Sequence, residues 1–165
     1  MKRTAYVGAL LLVSSLIGGV TVDPAAATTS VDVRMTFAEP AHPDLITGCA
    51  VFPEGFCGSG QITPFGHATE TIAFGVGCGG TCDLRTIVLR DGTLTLEETG
   101  TFRCLGACGT YPVEAAYGDL TDMIVAGTGI FAGATGTLTG TVRAAVSNIR
   151  PAGGSEVQLS GRIVY

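Results

Sequence analysis

Past residue 27 the sequence has no lysine, almost no helical periodicity and no second long apolar run. Without lysine, the cations of residues 28–165 are seven arginines set against thirteen carboxylates, six negative charges in excess. Nucleic acids and anionic membranes are bound by basic faces, so both are excluded as expected partners. The acids are scattered rather than blocked, which reads as solubilising surface and not as an acidic tail. The signatures of common hydrolases and nucleotide enzymes are missing too. There is no Ser-His-Asp arrangement, no phosphate loop and no H-E-x-x-H, and neither His42 nor His67 has a nucleophile set around it.

The N-terminus is where apolar residues and cations do concentrate. Lys2 and Arg3 precede an apolar run from Ala5 through Val22, followed by Asp23-Pro24-Ala25-Ala26-Ala27. A charged start, an apolar middle and a small-residue exit are the three parts of a secretory signal, with cleavage expected after Ala27. A retained anchor is the alternative, disfavoured by Gly18, Gly19 and the small-residue exit. Residues 28–165 then form a single domain, expected to be secreted and free of the membrane.

All six cysteines fall after the signal: Cys49, Cys57, Cys78, Cys82, Cys104 and Cys108. An even number in an exported chain points to disulfides. The last four form two C-x3-C pairs, a spacing that zinc sites tolerate, but thiolate ligands require reduced sulfur. No metal or other cofactor is expected. Local pairs, Cys49–Cys57, Cys78–Cys82 and Cys104–Cys108, compete with pairing across the 84–103 hairpin, which would bring Cys82 near Cys104.

Alternation of apolar and polar residues pervades the rest. Val31, Val33, Met35 and Phe37 share one face of a first strand, and residues 41–59 read as irregular. Further strands are expected near 60–63, 68–76, 84–90, 93–103, 117–126, 134–146 and 156–165. Asp91-Gly92 is a strong hairpin signal, and Gly79-Gly80 turns the preceding pair. Short strands, each with one polar and one apolar face and joined by Gly-rich turns, predict an all-β fold, a sandwich or a closed antiparallel barrel. Because nearly every connection reads as a hairpin, the up-and-down barrel is preferred.

The same alternation puts carboxylates where the interior should be. Glu70 shares a face with Ala68, Ile72 and Phe74; Glu98 with Leu94, Leu96 and Phe102; Asp122 with Leu120 and Ile124. A buried carboxylate must be paired or protonated, and in a cavity it can work as a general acid or base. Glu70 and Glu98 are therefore the candidate catalytic residues. Phe74, Leu96, Phe102, Asp122 and Leu138 are the candidate ligand contacts. Two alternatives stand beside this: a β-bulge could turn Glu70 or Glu98 outward, or Arg85, Arg90 or Arg103 could neutralise them. Gly136, Gly140, Ala144 and Gly161 thin the inner lining of the later strands, which suggests room for one small ligand.

One segment resembles a known family. Ile124-Val125-Ala126-Gly127-Thr128-Gly129-Ile130-Phe131-Ala132-Gly133-Ala134-Thr135-Gly136 is similar to the Gly-Gly-Thr-Gly-x-Phe-x-x-Ala-x-Gly turn of the allene oxide cyclase and dirigent barrels. Gly60 to Thr69, with Phe65-Gly66, looks like the upstream part of bacterial members, and Gly161 to Tyr165 suits their last strand. Ala126 replaces the first glycine of the motif, and no catalytic residue of the family maps onto this chain. The resemblance implies an eight-stranded antiparallel up-and-down (calycin-like) β-barrel, often trimeric in plant relatives, so a homo-oligomer is an expectation. The expected function is binding of a small apolar or phenolic ligand in the barrel. A cyclase or isomerase using a cavity carboxylate is one alternative, and an extracellular structural or cell-envelope protein acting through its surface is the other. Phe131 is expected to fold back and plug one barrel end.

Overall fold

A computed structural model describes residues 28–40, 55–105, 115–145 and 154–165. Residues 1–27, where a signal is expected, lie outside these residues with Cys49, Cys108 and His42, as does the side chain of Cys104. Eight strands follow in chain order: β1 (Ser30–Pro40), β2 (Gly55–Thr63), β3 (Gly66–Gly77), β4 (Cys82–Leu89), β5 (Gly92–Leu105), β6 (Ala115–Gly127), β7 (Thr135–Ala145) and β8 (Gly154–Val164). Each pairs antiparallel with its sequence neighbours, and β8 pairs with β1 from Ser30↔Val164 to Pro40↔Gly154. The closed eight-stranded up-and-down barrel expected from the alternation is the observed fold. Closure leaves no free sheet edge. Among the described residues, no helix is long and apolar enough to cross a membrane.

The strand expectations hold with one notable shift. Residues 55–59, read as irregular, belong to β2, which pairs with β3 from Gly55↔Ala73 to Ile62↔Gly66. Gly55, Gly58 and Gly60 obscure this strand because glycine carries no β signal of its own. The threonines of β7, at 135, 137, 139 and 141, face solvent while Leu138 and Val142 face inward. The thin lining there is not a void. A side chain at Gly140 would collide with the Gln158 carbonyl, so the glycine lets β8 approach closely.

The barrel has two different ends. One holds the hairpins joining β2 to β3, β4 to β5 and β6 to β7, and it is closed by Phe131. This residue lies in a short 3-10 turn, Gly129–Phe131, and is fully buried. Its ring meets Phe65 edge-on at 5.0 Å and Tyr165 at 6.2 Å. The turn is fixed by hydrogen bonds from Thr128 N to Thr93 O and from Ile130 N to Asp91 O. Gly129 sits at φ +61° against the Asp91 carbonyl, a position where a side chain would be both strained and obstructed. Burying the phenyl ring stabilises the fold by roughly 1.5–3 kcal/mol. Val33, Met35, Ile87, Leu94, Leu96, Leu138 and Ile163 fill the barrel above it.

At the other end, β3 turns into β4 through a tight loop closed by the Cys78–Cys82 disulfide, which is the expected local pair. Cys57 is also disulfide-bonded, with a partner outside the described side chains. The loop is further held by Gly80 N to Gly77 O and by Cys78 N donating to Glu97 Oε1 at 2.7 Å. Oxidation removes both sulfurs of this C-x3-C pair as thiolate ligands, although Glu97 stands beside them.

Candidate functional site: a charged cluster inside the barrel

Followed away from the Phe131 plug, the inward positions of several strands change character in the same order. On β3 they run Ala68, Glu70, Ile72, Phe74; on β5, Leu94, Leu96, Glu98, Gly100, Phe102. On β4 the apolar Leu89 and Ile87 give way to Arg85, and on β1 Phe37 gives way to Glu39. Asp122 follows Ile124 on β6. Among the described residues five ionisable side chains thus meet inside the barrel, and all are buried: Glu39, Glu70, Arg85, Glu98 and Asp122.

Arg85 is the hub. Its Nε donates to Glu98 Oε2 at 2.8 Å, and Nη2 donates to the same oxygen. Nη1 donates to Glu70 Oε2 and, at 3.3 Å, to Glu39 Oε1. Asp122 Oδ1 lies 3.7 Å from Nε, close enough for attraction but beyond a hydrogen bond. Ser155 Oγ, from β8, donates to the second oxygen of Glu39. Register explains the grouping: Glu98 stands directly opposite Asp122 on the β5–β6 ladder, and Glu70 opposite Gly58 on β2–β3. The β3 irregularity lies between Ala73 and Gly77, and that of β5–β6 at Thr95/Leu96, so neither turns Glu70 or Glu98 outward.

One guanidinium cannot satisfy four carboxylates. Glu70 Oε1 and both oxygens of Asp122 are buried and accept no hydrogen bond. Burial lifts the Glu70 carboxyl to a pKa of about 8; Arg85 opposes the shift and the neighbouring Glu39 adds to it. Burial likewise lifts Asp122 to about 8, reinforced by Glu98 and opposed by Arg85. Burial alone would weaken the charge of Arg85, yet Glu70, Glu98, Glu39 and Asp122 together hold it above its ordinary pKa. At neutral pH two carboxyls therefore keep their protons. Each has a second acid beside it, Glu39 by Glu70 and Glu98 by Asp122, and that like charge adds to the hold on the proton. A group poised near 8 can both give and take a proton under mild conditions.

The inward placement expected for Glu70, Glu98 and Asp122 holds. Of the three arginines offered as neutralisers, Arg85 takes that role. Arg90 pairs instead with Asp91 at the surface, and Arg103 is exposed. Glu39 escaped the sequence reading, although it continues the Val33, Met35, Phe37 face by one more step. Leu96 and Leu138 are fully buried in the apolar core, Leu138 directly opposite Asp122 on the β6–β7 ladder. Phe74 and Phe102 keep the inward parity but stand at the rim, 36% and 59% exposed. The Phe74 ring packs edge-on against Phe56 at 5.2 Å. Phe102 lies opposite Gly118, where a side chain would come within 2.9 Å of its ring. His67 is exposed on β3, remote from the cluster along the strand.

Set against family models, curated proteins and solved structures, the chain matches none of them.

Proposed function

We propose that this chain is a secreted ligand-binding barrel, taking a small molecule with an apolar body at the Phe74 and Phe102 rim and meeting its polar part with the carboxyl cluster. The observation that carries this is the charged cluster itself. Five ionisable groups in the interior cost desolvation energy that a purely structural core avoids, since well-packed apolar residues of like volume are commonly as stable or more so. Perturbed carboxyls grouped beneath exposed aromatic residues fit a binding site better than a scaffold. Export is supported by the signal-like N-terminus and by the two disulfide-bonded cysteine sites. Kinship with the allene oxide cyclase and dirigent barrels is supported by the closed eight-stranded topology and by the Gly-Thr-Gly-x-Phe turn that buries Phe131. The test is fluorescence titration with a neutral apolar probe, N-phenyl-1-naphthylamine. Enhancement that saturates, and that Phe102→Glu weakens at least tenfold, supports the reading; no saturable enhancement overturns it.

A second reading, cyclase or isomerase chemistry by a cavity carboxyl, is favoured by Glu70. Its unpartnered Oε1 and raised pKa suit a proton donor at neutral pH. Glu98 suits that role less well, because Arg85 holds its Oε2 through two donors.

A further inference from the structure

The cluster contains more acceptors and more negative charge than its own residues can answer. Among the described residues, every charged or titratable group that faces it can be named strand by strand. β1 supplies Glu39, β3 Glu70, β4 Arg85, β5 Glu98 and β6 Asp122, while β8 adds only the Ser155 hydroxyl. β2 contributes Gly58 and β7 contributes Leu138 and Val142, none of them ionisable. Among the described residues four acids therefore face one cation, and the only lysine of the sequence is Lys2. Both Asp122 oxygens are unpartnered with the residue fully buried, and Glu70 Oε1 is in the same state at 1% exposure.

We propose that the ligand of this site is a small organic cation, an ammonium group on an apolar body, whose N–H donors engage Asp122 and Glu70. The inference rests on the ligand-binding reading above and names the ligand's chemical class. An ammonium brings three donors and a full positive charge, whereas a neutral hydroxyl brings one donor and leaves the charge surplus untouched. An anion is disfavoured by the excess of acids over the one arginine. Arg85 already occupies the centre and bonds three of the carboxylates, which leaves no all-oxygen cage for a hard metal ion. The apolar body lies toward Phe102 and Phe74, whose ring faces also attract a cation as it enters.

Binding has a proton balance. The ammonium stays protonated, and the proton held on Asp122 or Glu70 leaves to solvent as the cation takes its place. Affinity must therefore rise with pH until those carboxyls are already ionised.

The experiment is isothermal titration of the signal-free protein with 2-phenylethylammonium and its neutral counterpart 2-phenylethanol, with N-phenyl-1-naphthylamine run in parallel. The ammonium should bind at least tenfold tighter than the alcohol at pH 8. Its affinity should rise about tenfold from pH 6.5 to pH 8, with proton release seen as a dependence of the heat on buffer ionisation enthalpy. Asp122→Asn should remove most of the preference for the ammonium, bringing the ratio of the two affinities to within about threefold. If that variant does not fold, the buffer dependence of the unaltered protein decides alone. Equal binding of ammonium and alcohol, or no proton release, overturns the cation inference, while saturable naphthylamine binding keeps the broader reading. Failure of all three compounds to bind overturns both.

Discussion

The two ends of this barrel are built on the same eight strands and closed by opposite means. At the Phe131 end, a turn folds one aromatic ring back onto aliphatic side chains, and among the described residues no buried side-chain polar atom there lacks a hydrogen bond. Toward the Phe102 end the interior is held by one arginine among four acids, with three carboxyl oxygens unsatisfied. Apolar packing is insensitive to pH and tolerant of small rearrangements. The charged cluster depends on protonation state and on the placement of individual donors. Apolar closure and titratable chemistry are thereby divided along the barrel axis.

The largest effect expected comes from removing the hub. Arg85→Met leaves Glu39, Glu70 and Glu98 without their guanidinium donor, Glu39 keeping only Ser155 among the described residues, and loss of one partner from a buried ionic group costs about 3–5 kcal/mol. Phe131→Ala at the other end costs a similar amount, about 3–5 kcal/mol, through a cavity. The comparison between the ends is sharpened by acid. Urea unfolding at pH 7 should find both variants strongly destabilised. At pH 5 the Arg85 variant should recover part of the loss, because protonated carboxyls no longer need a cation, while the Phe131 variant should not. Equal responses to pH would erase the distinction.

The second effect is a pH dependence with an unusual sign. Glu70 and Asp122 hold protons more firmly in the folded barrel, at about 8, than at their ordinary values of 4.5 and 3.8. Their contribution to stability is fully present below those ordinary values and is lost as pH rises through about 8. Each group tilts the stability downward by about 1.4 kcal/mol per pH unit at most across that window. Thermal denaturation should accordingly show a fall in midpoint between pH 5 and pH 9. Glu70→Gln and Asp122→Asn should each flatten it, and a variant profile as steep as that of the unaltered protein would remove the assigned titration.

How much of this could be read from the chain follows from the same division. Alternation along β3, β5 and β6 is clean, so the inward direction of Glu70, Glu98 and Asp122 was legible before any fold was known. Arg85 was not legible as the hub, because Leu84 and Val88 on the outer face of β4 are as apolar as Ile87 and Leu89 inside. Where both faces are apolar, period two has no phase. Glu39 was missed for another reason: it ends a strand just before Pro40 and reads as a turn residue, although its parity is that of Phe37. Parity alone also cannot tell depth. Phe74 and Phe102 point inward in sequence yet lie at the rim, a matter of strand tilt and stagger that no single strand encodes.

A smaller effect probes how tightly the cluster is seated. Gly58 faces Glu70, and a Cβ there would stand 2.7 Å from Glu70 Oε1 and 2.9 Å from the Ala38 carbonyl. The carboxyl can swing away but the backbone oxygen cannot, so Gly58→Ala should cost about 1–3 kcal/mol as overpacking does. Because the displaced carboxyl is Glu70, the variant should also alter the pH profile. A loss of stability with an unchanged profile would mean that β2 moved and the cluster did not.

The smallest effect belongs to the Cys78–Cys82 disulfide, although it stands at the end of the barrel whose chemistry is the more delicate. It closes a loop with a sequence separation of 4. In the chain-entropy account so short a loop contributes only about 2 kcal/mol, and the account is an upper figure where the turn is held by other means. Here Gly80 N and Thr81 N both bond the Gly77 carbonyl, and Glu97 accepts from Cys78 N. Those bonds do not require the sulfurs to be joined. Replacing Cys78 and Cys82 together by serine should therefore lower the unfolding free energy by less than about 2 kcal/mol. Amide exchange should quicken at residues 78–82 while protection at Arg85 and Glu98 stays unchanged. If protection at Arg85 fell as well, the loop would be a clamp on the charged cluster rather than a local staple, and the two ends of the barrel would differ in covalent as well as electrostatic support.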